Sequence, residues 1–91
     1  MLAKSMLISY DLNRPGQDYE TLIKAIKALG GWWHHLDSTW IVKTTSTAVQ
    51  VRDTLRRHID ANDELLVVVL TGEGAWAGFD VKGSKWLKEN L

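Results

Sequence analysis

The spacing of apolar residues changes period several times along the chain, and each change marks an element. Met6-Leu7-Ile8-Ser9-Tyr10-Asp11-Leu12 is a mostly apolar run stopped by Asn13-Arg14-Pro15-Gly16, which reads as a strand entering a loop. From Asp18 to Leu29 the apolar residues Tyr19, Leu22, Ile23, Ile26 and Leu29 recur at three and four, with Glu20, Lys24 and Lys27 on the other side. That period predicts an amphipathic helix, with Asp18 as its N-cap and Gly30-Gly31 as its stop. Trp32 to Leu36 and Thr39 to Thr44, rich in aromatic and β-branched residues, flank Asp37-Ser38 as the two arms of a hairpin. After the cap-rich Thr45-Ser46-Thr47, a stripe of Ala48, Val51, Leu55 and Ile59 predicts a second helix, ending near Asp60-Ala61-Asn62. Leu65 to Leu70 is a continuous apolar run and predicts a fourth strand.

The order strand, helix, strand, strand, helix, strand predicts an α+β, ferredoxin-like βαββαβ sandwich: a four-stranded antiparallel sheet with both helices on one face. Such a sheet should alternate apolar and polar where one face meets water. Leu65 to Leu70 is instead apolar on both sides, and Trp32, Trp33 and Trp40 crowd the hairpin. The second face is therefore expected to be covered by a second copy, making a homodimer, or by the segment after Thr71. That segment carries Trp76, Phe79, Trp86 and Leu87 and ends in a short helix expected from Ser84 to Leu91.

With 91 residues the chain fits one domain, residues 1–91, with a core over 5–70 and a C-terminal tail over 71–91. It contains no cysteine, so disulfides cannot supplement a small core, and a reducing compartment is the natural expectation. No apolar stretch reaches the roughly 18 residues of a membrane span, and the first residues lack the pattern of a signal peptide. The expectation is a soluble, cytoplasmic protein with no membrane partner. Eleven basic residues balance eleven acidic ones, which excludes the strongly basic signature of an autonomous nucleic-acid binder. Nucleic-acid contact would have to be local, and the densest basic feature is Arg52, Arg56 and Arg57 with His58. The same residues also read as a solvated helix face.

Asp11 is the best candidate for chemistry, because it puts a carboxylate where the first strand ends. It is a candidate metal ligand or catalytic acid, or else the acceptor of an Asx-type turn bonded to the amides of Asn13 or Arg14. His34-His35 would project to opposite faces of a regular strand and so could share one metal only if the strand bulged there. Gly72, Gly74 and Gly78 miss the dinucleotide-binding spacing, and the hydroxyl-rich stretches lack the partners of a serine nucleophile. Trp32, next to Gly31, and Trp76, two residues from Gly74 and Gly78, are the tryptophans that could stack on bases.

Three short motifs carry a family resemblance. Tyr10-Asp11-Leu12 is similar to a strand-ending Tyr-Asp-aliphatic signature, Ser38-Thr39-Trp40 to a Ser-small-aromatic element at a hairpin, and Asp63 to an Asp that leads into a fourth strand. Together they resemble the small CRISPR-associated proteins of the second numbered Cas family, dimeric partners of the spacer integrase, and more closely the SinR-like proteins. Toxins of the VapD type, which are ribonucleases, resemble the same architecture. The resemblance implies a homodimer in which Asp11 of each protomer faces its mate and shares a magnesium ion, which would activate water against a phosphodiester of RNA or DNA. Asn13, Arg14, Arg52 and Arg56 are the positions placed to touch nucleic acid. The chain departs from the family where basic residues are expected, at Asn13 and across Trp32 to Leu36. Neutral charge and an apolar sheet favour a noncatalytic adaptor over a magnesium-dependent endonuclease.

Overall fold

The computed structural model describes residues 2–13 and 19–91. Arg14, Pro15, Gly16 and Asp18, named above as a nucleic-acid position, a turn and a helix cap, lie outside the described residues. The elements are β1 (Lys4–Asp11), α1 (Glu20–Lys27), β2 (Gly31–Leu36), β3 (Thr39–Thr44), α2 (Ala48–Arg56), β4 (Glu64–Val69) and α3 (Val81–Asn90). The protein is α+β. Its four strands form one antiparallel sheet in the order β2-β3-β1-β4, so the first strand lies inside and β2 and β4 are the edges. No helix among the described residues is long and apolar enough to cross a membrane.

Strand alternation sorts side chains into two cores. Met6 and Ile8 of β1 and Trp40 and Val42 of β3 point to one face, where they pack with Leu22 and Ile26 of α1 and Val51 and Leu55 of α2. All eight are essentially sealed from solvent. Burying such side chains stabilises the fold by roughly 1.5–3 kcal/mol each. The opposite face receives Trp33 and Ile41, and these are covered by Leu87 of α3 together with Phe79, Trp76, Trp86 and Leu91. The segment after β4 thus folds back on its own sheet, as a third layer over the β2-β3 side.

Local chemistry explains where the helices begin. At α2, the Thr47 hydroxyl accepts from the Gln50 amide and the Gln50 side chain accepts from the Thr47 amide, a reciprocal capping box. At α3, the Asp80 carboxylate accepts from the Gly83 amide at 2.7 Å, which starts the helix at Val81, three residues before the expected Ser84. Gly83 also lets α3 approach the hairpin, because a Cβ there would meet the His35 ring at 3.0 Å. The far end of α3 is tied to the sheet by Asn90, whose carbonyl accepts from the Ser5 hydroxyl and from Lys43 Nζ at 3.3 Å.

The β2-β3 hairpin has the expected two-residue connection at Asp37-Ser38, but its ladder is irregular. Trp33 pairs with Ile41 and Leu36 with Thr39, so β2 has one residue more than β3 between these pairs. The extra residue is a β-bulge at His34-His35. Gly30, at φ 154°, turns the chain into this strand so close to β3 that a Cβ would lie 2.0 Å from the Lys43 carbonyl oxygen.

Candidate functional site

Asp11 occupies the last position of β1 and is exposed. Its cross-strand partner is Glu64, the first residue of β4. Directly opposed residues of an antiparallel pair project to the same face with Cβ atoms about 4.5–5.5 Å apart, so two carboxylates of one chain face each other. They line a shallow cleft with Ser9 and Leu66. Sequence reasoning missed Glu64, because its relation to Asp11 depends on the β1-β4 register across more than fifty residues.

Asp11 does not form the Asx-type turn with Asn13. The Asn13 amide donates instead to Asp63 Oδ1 at 2.7 Å. Asp63 Oδ2 accepts from the Tyr19 hydroxyl at 3.1 Å and from the Asp60 amide at 2.8 Å. The Asp63 carboxylate therefore ties together the exit of β1, the entry of α1 and the turn before β4. Its position leading into the fourth strand is explained by this bracing of both ends of the β1-α1 connection against the turn before β4.

Ser38 contributes its backbone rather than its hydroxyl, its carbonyl accepting from the Tyr10 amide at 3.1 Å. Ser9 and Thr39 share a hydroxyl contact at 3.1 Å, and Tyr10 accepts from the Trp40 indole at 3.1 Å. The residues of the Tyr-Asp-aliphatic and Ser-small-aromatic motifs thus meet where β1 lies beside β3.

Arg52 and Arg56 lie on α2 and line an open cleft with Ile59, Asp60, Asp63 and Leu65. This cleft is on the helical side of β4, whereas Asp11 and Glu64 face the other side; Asp63 links the two regions through Asn13. The Arg52 guanidinium is paired with Asp53 at 2.9 Å on the surface, an interaction worth about 0–1 kcal/mol. Arg56 is exposed.

The bulge does not bring His34 and His35 together. The His34 ring stacks on Trp40 with centroids 3.6 Å apart, while His35 lies against Trp33 and Phe79 on the opposite face. Among the described residues, no three His, Cys, Asp or Glu side chains cluster as a metal site would require. Trp32 is the more exposed hairpin tryptophan and carries Lys27 over its ring at 4.8 Å, whereas the Trp76 indole donates to the Ser84 hydroxyl at 3.2 Å. Both are held within the chain.

A second surface lies along β4. Leu66 and Val68, on the face away from α1 and α2, are 55% and 37% exposed; Val69, on the helical face, is 42% exposed and Val49 of α2 56%. Val49, Leu65, Leu66 and Val67 line one groove between α2 and the strand. Compared with known proteins, the chain matches no family model, no curated protein and no solved structure.

Proposed function

We propose that this protein is a noncatalytic homodimeric adaptor of the ferredoxin-like type, SinR-like in kind, that docks nucleic acid or a protein partner in the cytoplasm. The observation that carries this reading is the exposed aliphatic edge at β4, with Leu66 and Val68 on one face of the strand and Val69, with Val49 of α2, on the other. Once α3 has covered the β2-β3 side of the sheet, the β4 edge still presents aliphatic side chains to solvent, and such surfaces mark association sites. The strand order β2-β3-β1-β4, with α1 and α2 on one face, supports the ferredoxin-like assignment.

A magnesium-dependent endonuclease is the second reading, favoured by the facing pair of Asp11 and Glu64. In it Asp11 of both protomers is the metal ligand, and Asn13, Arg52 and Arg56 contact the nucleic acid. One experiment separates the two. The purified protein and Asp11→Asn are incubated with RNA and DNA, with magnesium or with chelator, while mass in solution is followed by sedimentation. The adaptor reading expects a dimer and no cleavage beyond that of Asp11→Asn. Magnesium-dependent cleavage lost in Asp11→Asn would replace it with the endonuclease, and a monomer at every concentration would remove the dimer.

A further inference from the structure

The two edges of the sheet are built differently. β2 carries the bulge at His34-His35, which twists and interrupts its outer side. β4 has no such device. Its six residues, Glu64-Leu65-Leu66-Val67-Val68-Val69, contain no proline, glycine or lysine, and its ladder to β1 runs in unbroken register from Met6-Val69 to Asp11-Glu64. Proteins that remain monomeric blunt an edge of this kind with charge, proline or a covering segment, because its free backbone groups template another strand. Among the described residues, nothing pairs with β4 on its outer side.

The free groups can be identified. The Leu70 amide donates to the Ser5 carbonyl at 2.9 Å, so the N–H and C=O of Leu70 and of alternate residues before it turn toward β1. Those of Leu65, Val67 and Val69 therefore turn outward.

We propose that β4 pairs antiparallel with β4 of a second copy about a two-fold axis at Val67, joining the sheets edge to edge. This names the seam of the dimer proposed above and rests on that reading. In this register Val67 meets Val67, Leu65 meets Val69, Leu66 meets Val68 and Glu64 meets Leu70. Every pair but the last is apolar on both sides, and the Glu64 carboxylates lie at opposite ends of the seam. Moving the axis to Leu66 would bring Asp63 opposite Val69 and Glu64 opposite Val68, deeper into the strip. A second copy is the favoured occupant because the strand is its own apolar complement in the antiparallel direction and because a net charge of zero leaves no overall repulsion between copies.

A two-fold perpendicular to the sheet keeps both helical layers on the same side, so Val49 of each α2 extends the apolar contact beyond the strands. The same geometry keeps the acids apart. Six residue steps along the strands and three strand spacings across them separate the two Asp11 positions by about 25 Å, too far to share one metal ion. The seam is thus an alternative to the paired-aspartate dimer, not a version of it.

The test uses Leu66 and Val68, whose exposure makes them tolerant of charge in the monomer. Sedimentation equilibrium of the native chain should show a dimer. Leu66→Glu should weaken association at least tenfold, Val68→Lys likewise, and a chain carrying both should recover most of the loss, because the introduced charges face each other twice across the axis. Circular dichroism checks that each variant is folded. Because the native chain lacks cysteine, register can be read by oxidation. Leu66→Cys mixed with Val68→Cys should give a crosslinked heterodimer, these being close, non-hydrogen-bonded partners, while Leu66→Cys alone should not crosslink. Crosslinking of Leu66→Cys alone would overturn the register. A native dimer indifferent to Leu66→Glu would overturn the seam while leaving the dimeric reading intact, and a native monomer would overturn both.

Discussion

Asp63 and Glu64 are neighbours in the chain with opposite effects on the fold. Asp63 accepts hydrogen bonds from Asn13, Tyr19 and Asp60, whereas Glu64 stands across from the like-charged Asp11. Removing a charged acceptor and leaving donors unpaired costs about 2–3 kcal/mol, so Asp63→Ala should lower the urea midpoint by an amount equivalent to that figure. Asp11→Asn should instead leave stability unchanged or raise it by about 0.2–0.5 kcal/mol, since like charges directly opposed on adjacent strands destabilise each other. Both changes are read in the same denaturation experiment, and equal losses would mean that Asp11 has a structural role the hydrogen bonds do not reveal. The sequence marked both aspartates as notable by their place at strand ends. It could not tell them apart, because the difference is made by which loops converge on Asp63 and by the register that brings Glu64 to Asp11.

At the scale of elements, each helix depends on a few identifiable contacts. Thr47 caps α2 reciprocally with Gln50, and Thr47→Ala should cost about 1 kcal/mol by thermal or urea unfolding. Leu87 is the buried anchor of α3, only 3% exposed, and Leu87→Ala should cost about 2–4 kcal/mol. The accompanying sign should be faster amide exchange across Val81–Asn90 than in β1, because α3 touches the sheet chiefly through that residue and its aromatic neighbours. The seven elements divide by legibility along the same lines. The helix stripes of Leu22, Ile26, Val51 and Leu55 and the aromatic hairpin arms were readable because local period dictates which side is buried. The bulge at His34-His35 and the choice of α3 to cover the β2-β3 side were not, because each is decided by contacts between distant segments, and the start of that helix at Val81 turned on the Asp80 cap rather than on the apolar period.

For the whole molecule, zero net charge and the proposed aliphatic seam make a joint expectation. Association should change by less than about twofold between roughly 0.05 and 0.5 M sodium chloride, a range over which exposed ion pairs are largely screened. A loss of tenfold or more on sedimentation at high salt would place charged residues such as Arg52 or Arg56 in the contact. Another consequence follows from α3 as the outer cover of the sheet. During synthesis all four strands emerge before this helix does, so for an interval the growing chain displays Trp33 and Ile41 on one side of the sheet as well as a finished β4 edge on the other. Ribosomes translating one message in close succession would hold several such intermediates near each other, and a chaperone that shields aliphatic surface would have its greatest value in that interval.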